Sequence, residues 1–425
     1  MVKKDLLNEF SWRGLVSQST DREALDKHLE TAQRTVYCGF DPTASSLHIG
    51  SLVPLLALKR FQEFGHKPII LVGGATGLIG DPSGRDSERP LNTEETVLEW
   101  VDSLKKQMSG FLDFQGKSAA TIVDNLPWTA GLDVISFLRD IGKHFSVNAM
   151  IQRDSVKSRL VREGEGISYT EFSYMLLQSM DFLELAKNNG CTIQIGGNDQ
   201  WGNIVSGVDL VRRSTGIEAH ALTLPLVTKS DGTKFGKTAG GSIWLDEAKT
   251  SPYAFYQYWL NVTDEDVGSF LRFFTFLGTD EVDEGIAKMK ENPGDRFPQK
   301  LLADNVTEIV HGKSAVDSSR RISEVLFKGD VRDLEEEDFQ QLEMDGLEVF
   351  GVQCDVGLLA SMSDTGITKS RGEARNLVKS GGLSVNSIPV SDESHLLTRA
   401  DALFGKYHLI RRGKKNFKLL VLEKS

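Results

Sequence analysis

With 425 residues, the chain holds enough material for two to four domains of ~100–200 residues each, which excludes a small binding module. Its apolar fraction of 40% and charged fraction of 26% exclude a disordered or fibrous protein. The net charge of −11 opposes non-specific attraction to nucleic acid, but it is unevenly spread: Asp355–Ser425 carries twelve Lys or Arg against seven Asp or Glu, about +5, which leaves about −16 on the remainder.

At the N-terminus, Lys3 and Lys4 run into Asp5, Asn8 and Glu9 rather than an apolar stretch, so no secretory signal is read and a cytoplasmic protein is expected. The longest strongly apolar run, Pro68–Gly80, has 13 residues, short of the ~20 that span a bilayer. Through residue 245, short β-branched or apolar runs alternate with helical patterns, which predicts a parallel sheet wrapped by helices. The predicted strands are Thr35–Cys38, Pro68–Gly73, Ala120–Asn125, Thr192–Ile195 and Leu222–Leu226; the predicted helices are Ile49–Phe64, Thr93–Phe111, Tyr169–Asn188 and Asn203–Arg213. Asn92, with Glu95 three residues on, reads as a helix cap with its reciprocal acid. From Ser251 to about Lys328, periodic apolar positions such as Val267, Phe270, Leu271 and Phe274 predict a helical domain. Residues 330–350 hold nine acids against one arginine, Arg332, and read as a solvated segment or linker. Beyond it, Ser370–Ser380 reads as a basic helix and Leu383–Asn386 as a short strand. Cys38, Cys191 and Cys354 lie far apart without neighbouring histidines, so reduced thiols and no structural metal are expected.

Three constellations carry chemistry. Tyr37-Cys38-Gly39-Phe40-Asp41-Pro42-Thr43 followed by Leu47-His48-Ile49-Gly50-Ser51 delivers a strand end to a helix start, where free backbone N–H groups suit phosphate. His48 there serves either as a cap or as a charge-capable donor, and Gly50 leaves room for a nucleotide against the backbone. Lys234-Phe235-Gly236-Lys237-Thr238 sets two lysines and a hydroxyl on a short loop able to neutralise a polyphosphate. It is not a P-loop, because Asp231 stands where that motif needs glycine. Tyr174, Gln178 and Asp181, spaced by four and three, fall within ~60° of one helix face, nearly opposite Phe172, Leu176 and Leu183. By pattern they either face water or converge on one ligand. The glycines of Gly74–Asp81 do not match the dinucleotide fingerprint, and Gly196-Gly197-Asn198-Asp199-Gln200 ends a strand and points Asp199 and Gln200 toward the same crevice.

Taken together and in this order, these segments resemble the bacterial-type tyrosyl-tRNA synthetases, class I enzymes with a His-x-Gly-His signature (here His48-Ile49-Gly50-Ser51) and a lysine signature (here Lys234 to Thr238). The resemblance implies a Rossmann-like α/β parallel-sheet catalytic domain over residues 1–245 with a dimer-interface insertion about 125–165. An α-helical domain for the tRNA anticodon arm (246–329), an acidic linker (330–352) and a small α+β RNA-binding domain of ribosomal-protein type (353–425) would follow. It implies that Tyr37 and Asp181 hold a phenol, that Asp81, Tyr174 and Gln178 hold an ammonium, and that Gln200 lies near a carboxylate. For ATP it implies Thr43, His48, Gly50 and Ser51 at the first signature, Cys38, Asp41 and Asp199 around the aminoacyl and ribose parts, and Lys234, Lys237 and Thr238 at the phosphates, with Arg85 and Arg89 on a loop that helps hold pyrophosphate. His48, Lys234, Lys237, Thr43 and Thr238 would serve the transition state, with magnesium accompanying ATP. Arg212 and Arg213 match positions near a tRNA acceptor end. Lys369, Arg371, Arg375 and Lys379 would form an RNA-facing helix extended by Arg411, Arg412, Lys414 and Lys415, and a homodimer would form through Leu132–Ile151. Ser51 departs from the signature, where a second histidine is usual. The competing readings are an RNA-binding paralogue without catalysis and a tryptophan-activating synthetase.

Overall fold

The computed structural model describes residues 5–83, 92–153, 156–157, 160, 166–230, 232, 235–238, 241–413 and 416–423. These fall into two compact units, Met1–Leu245 with Thr263–Ala287, and Asp246–Val262 with Lys288–Ser425.

The first unit is built on a six-stranded sheet. Its strands are β1 (Gln18–Ser19), β2 (Thr35–Phe40), β3 (Lys67–Val72), β4 (Thr121–Asp124), β5 (Cys191–Gly197) and β6 (His220–Leu224), in the order β1-β6-β5-β2-β3-β4. All neighbours are parallel except β1, which pairs antiparallel to β6 at the edge. Val36, Ile69, Ile70, Val72, Ile193, Ile195, Ala221 and Leu222 are all buried, as strands covered on both faces require. The chain runs outward from β2 to β3 and β4, then crosses over to β5 and β6 on the other side. The order therefore reverses between β2 and β5, and the crevice at their C-terminal ends is where such sheets take ligands.

Local chemistry accounts for the helices. Tyr169–Asn189 begins at Ser168, whose side chain accepts the Glu171 N–H, and ends at Gly190, whose left-handed backbone (φ 60°) returns its N–H to the Leu185 carbonyl. This helix buries Met180, Phe182, Leu183, Leu185 and Ala186 in a cluster with Ile69 and Leu71, at ~1.5–3 kcal/mol for each large apolar side chain. At Glu94–Met108 the cap is Thr93, which accepts from the Thr96 N–H, rather than the expected Asn92.

The helix Asp264–Phe274, expected in the helical domain, belongs to the first unit instead. The reason is a pair of buried guanidiniums: Arg13 donates to the carbonyls of Arg272, Thr275 and Leu277, and Arg60 to those of Phe273 and Thr275. Cations at the last carbonyls of a helix satisfy acceptors that have no intrahelical partner. Burial is severe enough to pull the Arg60 guanidinium down to about 9.

The second unit packs helices Pro252–Leu260, Phe297–His311 and Lys313–Lys328 with a five-stranded sheet. Here the expected linker proves to be folded. Glu336–Gln341 is a helix, and its acid Asp338 is buried against Arg321 (2.8 Å) and Ser318 (2.7 Å). Phe339 and Leu342 are fully buried, Phe339 stacking on Tyr407 at 5.1 Å. Val349–Val352 is a sheet strand parallel to Asn416–Leu422. The acid count concealed the three-residue spacing that puts Phe339 and Leu342 on one face. Arg371–Lys379 starts at Ser370, which accepts the Glu373 N–H, and precedes the strand Leu383–Val385.

Candidate active site

At the reversal between β2 and β5 lies a cavity of about 270 Å³. It is lined from β2 by Tyr37 to Phe40, from β5 by Gln194 to Gly197, from the long helix by Tyr174, Gln178 and Asp181, and by Asp41, Thr43, His48, Gly50, Ser51, Thr76, Asp81 and Gln200. The helix face that pattern alone left open does not meet bulk water: Tyr174 is 4% and Asp181 2% exposed.

At the deep end, Asp181 accepts from Asn125 Nδ2 (2.9 Å) on one oxygen and from Trp128 Nε1 (2.8 Å) on the other. Burial nevertheless raises its carboxyl to about 7, against the lowering effect of those two bonds. Tyr37 lines the same cavity, and its buried hydroxyl has no hydrogen-bond partner. Burial, then the charge of Asp181, holds this phenol well above its usual range, so it remains a neutral donor. A buried polar atom without a partner costs ~1–3 kcal/mol. Asn125 and Trp128 were not anticipated as site residues. The signal available was Asn125 at the end of a predicted strand, where side chains enter the crevice.

Nearer the mouth, Tyr174 Oη donates to Asp41 Oδ2 (2.6 Å), while Thr76 Oγ1 donates to Asp41 Oδ1 (2.6 Å). With its proton committed to Asp41, the Tyr174 oxygen can accept from a cation. Only glycine fits at residue 73, since an added Cβ would lie 2.1 Å from Asp41 Oδ1 and 2.3 Å from Thr76 Oγ1. Asp81 accepts from the Ser83 N–H (2.9 Å) and from Gln200 Nε2 (2.6 Å). Asn203, a further unanticipated residue, donates to Gln178 Oε1 (3.1 Å) and Gln200 Oε1 (3.3 Å). Gln200, expected near a carboxylate, thus spends its amide N–H on Asp81. Asp81, Gln178 and the Tyr174 oxygen form an acceptor-rich wall suited to an ammonium.

At the other end, His48 Nδ1 accepts the Gly50 N–H (3.0 Å) and caps the turn Ile49–Ser51. An accepting Nδ1 fixes the neutral tautomer, so Nε2–H is what the ring can donate. The cap and donor roles are compatible, but the donor is neutral rather than cationic. Gly50 is required by His48 itself: an added Cβ would lie 2.8 Å from the His48 Cε1. Ser51 and Thr43 line both this cavity and a smaller one beside it. Cys38 lines the main cavity, with burial raising its thiol to about 12. Asp199 is not among the lining residues; its carboxylate folds back over Gly197. Arg85, Arg89, Lys234, Lys414 and Lys415 lie outside the described residues, and of Lys237 and Thr238 only the backbone is described, paired with Gly241–Ser242.

Several of the remaining expected cations sit on acids. Arg212 and Arg213 both pair with Asp209 (2.8 and 2.9 Å), and Arg375 and Lys379 share Glu393 (2.8 and 3.5 Å). Arg412 is used internally, donating to the Ile367 carbonyl and to Glu373. Lys369 and Arg371 are exposed, and Arg411 is half-buried. Among the described residues, no His, Cys, Asp or Glu cluster could hold a metal, and no helix is long and apolar enough to cross a membrane.

Residues 338–420 match a model of the C-terminal domain of tyrosine–tRNA ligases. The chain is 54% identical over 419 residues to the tyrosine–tRNA ligase of Aliivibrio fischeri, covering 98% of each chain. It is 51% identical over 421 residues to that of Chromobacterium violaceum, covering 99% of each. A truncated mitochondrial tyrosyl-tRNA synthetase from Aspergillus nidulans superposes with a TM-score of 0.69 at 30% identity, over 76% of this chain and 94% of that one. Since residues 29–328 match the model of the class I tRNA synthetases for tryptophan and tyrosine, the chain belongs to that family.

Proposed function

We propose that the chain is a tyrosine–tRNA ligase: it joins L-tyrosine to ATP as tyrosyl-adenylate, releasing pyrophosphate, and then passes the tyrosyl group to a ribose hydroxyl at the 3′ end of its tRNA. The observation that carries this reading is the deep end of the cavity, where an unpartnered Tyr37 hydroxyl and an Asp181 carboxyl held by two donors share one buried slot. A phenol there donates to Asp181 and accepts from Tyr37. A site built to bond a hydroxyl rejects the analogue lacking it, an asymmetry for which this enzyme family is itself the usual illustration.

The substrate ammonium then meets Asp81, Gln178 and the Tyr174 oxygen, and its carboxylate faces the first signature. That carboxylate is already ionised at neutral pH and needs no general base. The residues' work is positioning and meeting negative charge on the phosphates, through His48 Nε2–H and the lysine signature. Magnesium would accompany ATP as its counter-cation and would supply charge neutralisation at the phosphates. Arg212, Arg213, Lys369, Arg371 and Arg411 are the cations we assign to tRNA phosphates, which position an RNA without reading its sequence. The reaction belongs in the cytoplasm, with its tRNA.

The test is ATP–pyrophosphate exchange with tyrosine, tryptophan and phenylalanine. Exchange with tyrosine alone is expected. Preference for tryptophan would overturn the substrate, and silence with all three would leave the non-catalytic paralogue.

A second copy of the chain is the partner we assign to the segment after β4. Val134, Ile135, Leu138 and Val147 are 70%, 68%, 50% and 57% exposed within 14 residues of sequence, a concentration of apolar surface that monomers seldom leave uncovered. Val134→Lys with Ile135→Lys should halve the mass seen by sedimentation. An unaltered mass would move the interface elsewhere.

A further inference from the structure

The lysine signature carries two residues that charge neutralisation does not need, Phe235 and Gly236. We propose that they are positioning residues, which register the lysine loop against the first signature by seating it on the helix Asp264–Phe274 on one side and on Ile49 on the other. The proposal rests on the reading of this site as one that activates an amino acid with ATP.

Phe235 lies stacked on Phe274, ring centroids 5.2 Å apart and planes 14° apart, and edge-on to Phe270 at 5.3 Å. Phe270 and Phe274 meet edge to face at 5.7 Å and are themselves buried, so the seat is rigid before the loop arrives. The same helix holds the approach to the loop, because Asp266 Oδ1 in its first turn accepts the Ser230 N–H at 3.0 Å. Its far end is fixed by the buried Arg13 and Arg60. A helix gripped at both ends, with an aromatic step between, is a fixed reference for the chain laid on it.

Gly236 supplies the other side. It has φ +75°, where a side chain is strained, and an added Cβ would lie 2.5 Å from Ile49 Cγ2. Ile49 is fully buried and β-branched, so it has little freedom to retreat. The Gly236 carbonyl accepts the Ile243 N–H (3.0 Å), the Ile243 carbonyl accepts the Ile49 N–H (3.0 Å), and Leu245 N–H reaches the Leu47 carbonyl (2.9 Å). His48, between Leu47 and Ile49, forms a backbone bridge with Trp244. The two signatures, nearly two hundred residues apart in sequence, are thus joined by an unbroken backbone ladder. The side chains of this ladder and of the aromatic seat need touch no substrate to set where the loop's cations stand.

Positioning is distinguishable from simple structural support by which constants move. For Phe235→Leu, kcat of tyrosine-dependent ATP–pyrophosphate exchange should fall about tenfold or more, since misplacing a charge by ~1 Å suffices for a loss of that order. Tyrosine Kd measured without ATP should stay within about twofold, because Ile49, Phe270 and Phe274, which make the seat, are not among the residues lining the cavity, and the thermal midpoint should barely change. Phe235→Tyr, which keeps the ring, should restore most of kcat. Phe235→Leu combined with Phe274→Leu should be little slower than Phe235→Leu alone, as expected of two residues in one contact. A Phe235→Leu enzyme with unaltered kcat, or with kcat and tyrosine Kd impaired together, would overturn this proposal alone. Absence of exchange in the unsubstituted chain would overturn it together with the functional reading beneath it.

Discussion

Replacing Asp181 by alanine is expected to lower kcat/KM for tyrosine by about two orders of magnitude while leaving that for phenylalanine within about threefold, because a hydrogen bond to a charged group contributes ~1.5–3 kcal/mol and phenylalanine makes none. Alanine also strands the Asn125 amide and the Trp128 indole N–H, both now donating to Asp181. Asp181→Asn is the sharper control: it keeps the shape, but its amide N–H group must face one of those donors, so it should fail to restore the tyrosine preference. An unchanged ratio of the two amino acids in Asp181→Ala would remove this residue from the slot.

The same carboxyl gives a pH test. Burial raises Asp181 to about 7, above its value of ~3.9 in an unfolded chain. Between about pH 4 and pH 7 the folded chain therefore binds the extra proton, and this group's contribution to stability is full below pH 4 and lost as pH rises through 7. Catalysis should run the other way. The anion accepts a third donor better than the acid does, so kcat/KM for tyrosine should climb as pH rises through about 7. Asp181→Ala should lack that limb, and a flat profile in the unsubstituted enzyme would show that Asp181 does not titrate there.

His48→Ala is expected to lower kcat for adenylate formation by ~10²–10³-fold, the usual loss when one preorganised donor to a developing negative charge is removed. Tyrosine Kd should stay within about twofold, since His48 stands at the opposite end of the cavity. The substitution also removes a helix cap, worth ~1 kcal/mol of stability. His48→Asn separates the two roles, because asparagine caps well but cannot place an N–H where Nε2 stands. The thermal midpoint should recover with asparagine and kcat only in part. If kcat recovers together with the midpoint, His48 is a cap alone.

The candidate site was legible to unequal degrees. Tyr174, Gln178 and Asp181 were visible as one helix face, yet the same spacing fits a wet surface; only the neighbouring β2 and β5 strand ends, which bury that face, decide for a site. Asn125, Trp128, Thr76 and Asn203 were not visible, because amides, indoles and hydroxyls carry no spacing rule and act through partners far off in sequence. Gln200 and Asp199 were placed in the crevice by their position after a strand, but rotamer choice turned one onto Asp81 and the other over Gly197.

Taken by itself, the sequence determined what depends on neighbours along the chain: the alternation of strands and helices through residue 245, the helix from Tyr169 to within one residue of its observed end at Asn189, and the two loops that carry His48 and Lys237. Periodicity and capping act over a few residues, so they can be read there. Only the tertiary structure decided what depends on distant contacts. It set the strand order that opens the crevice between β2 and β5, and it moved the Asp264–Phe274 helix into the first unit through buried arginines from residues 13 and 60. It also folded an acid-rich stretch around Phe339. Each turns on burying apolar or charged groups against partners that local pattern does not name.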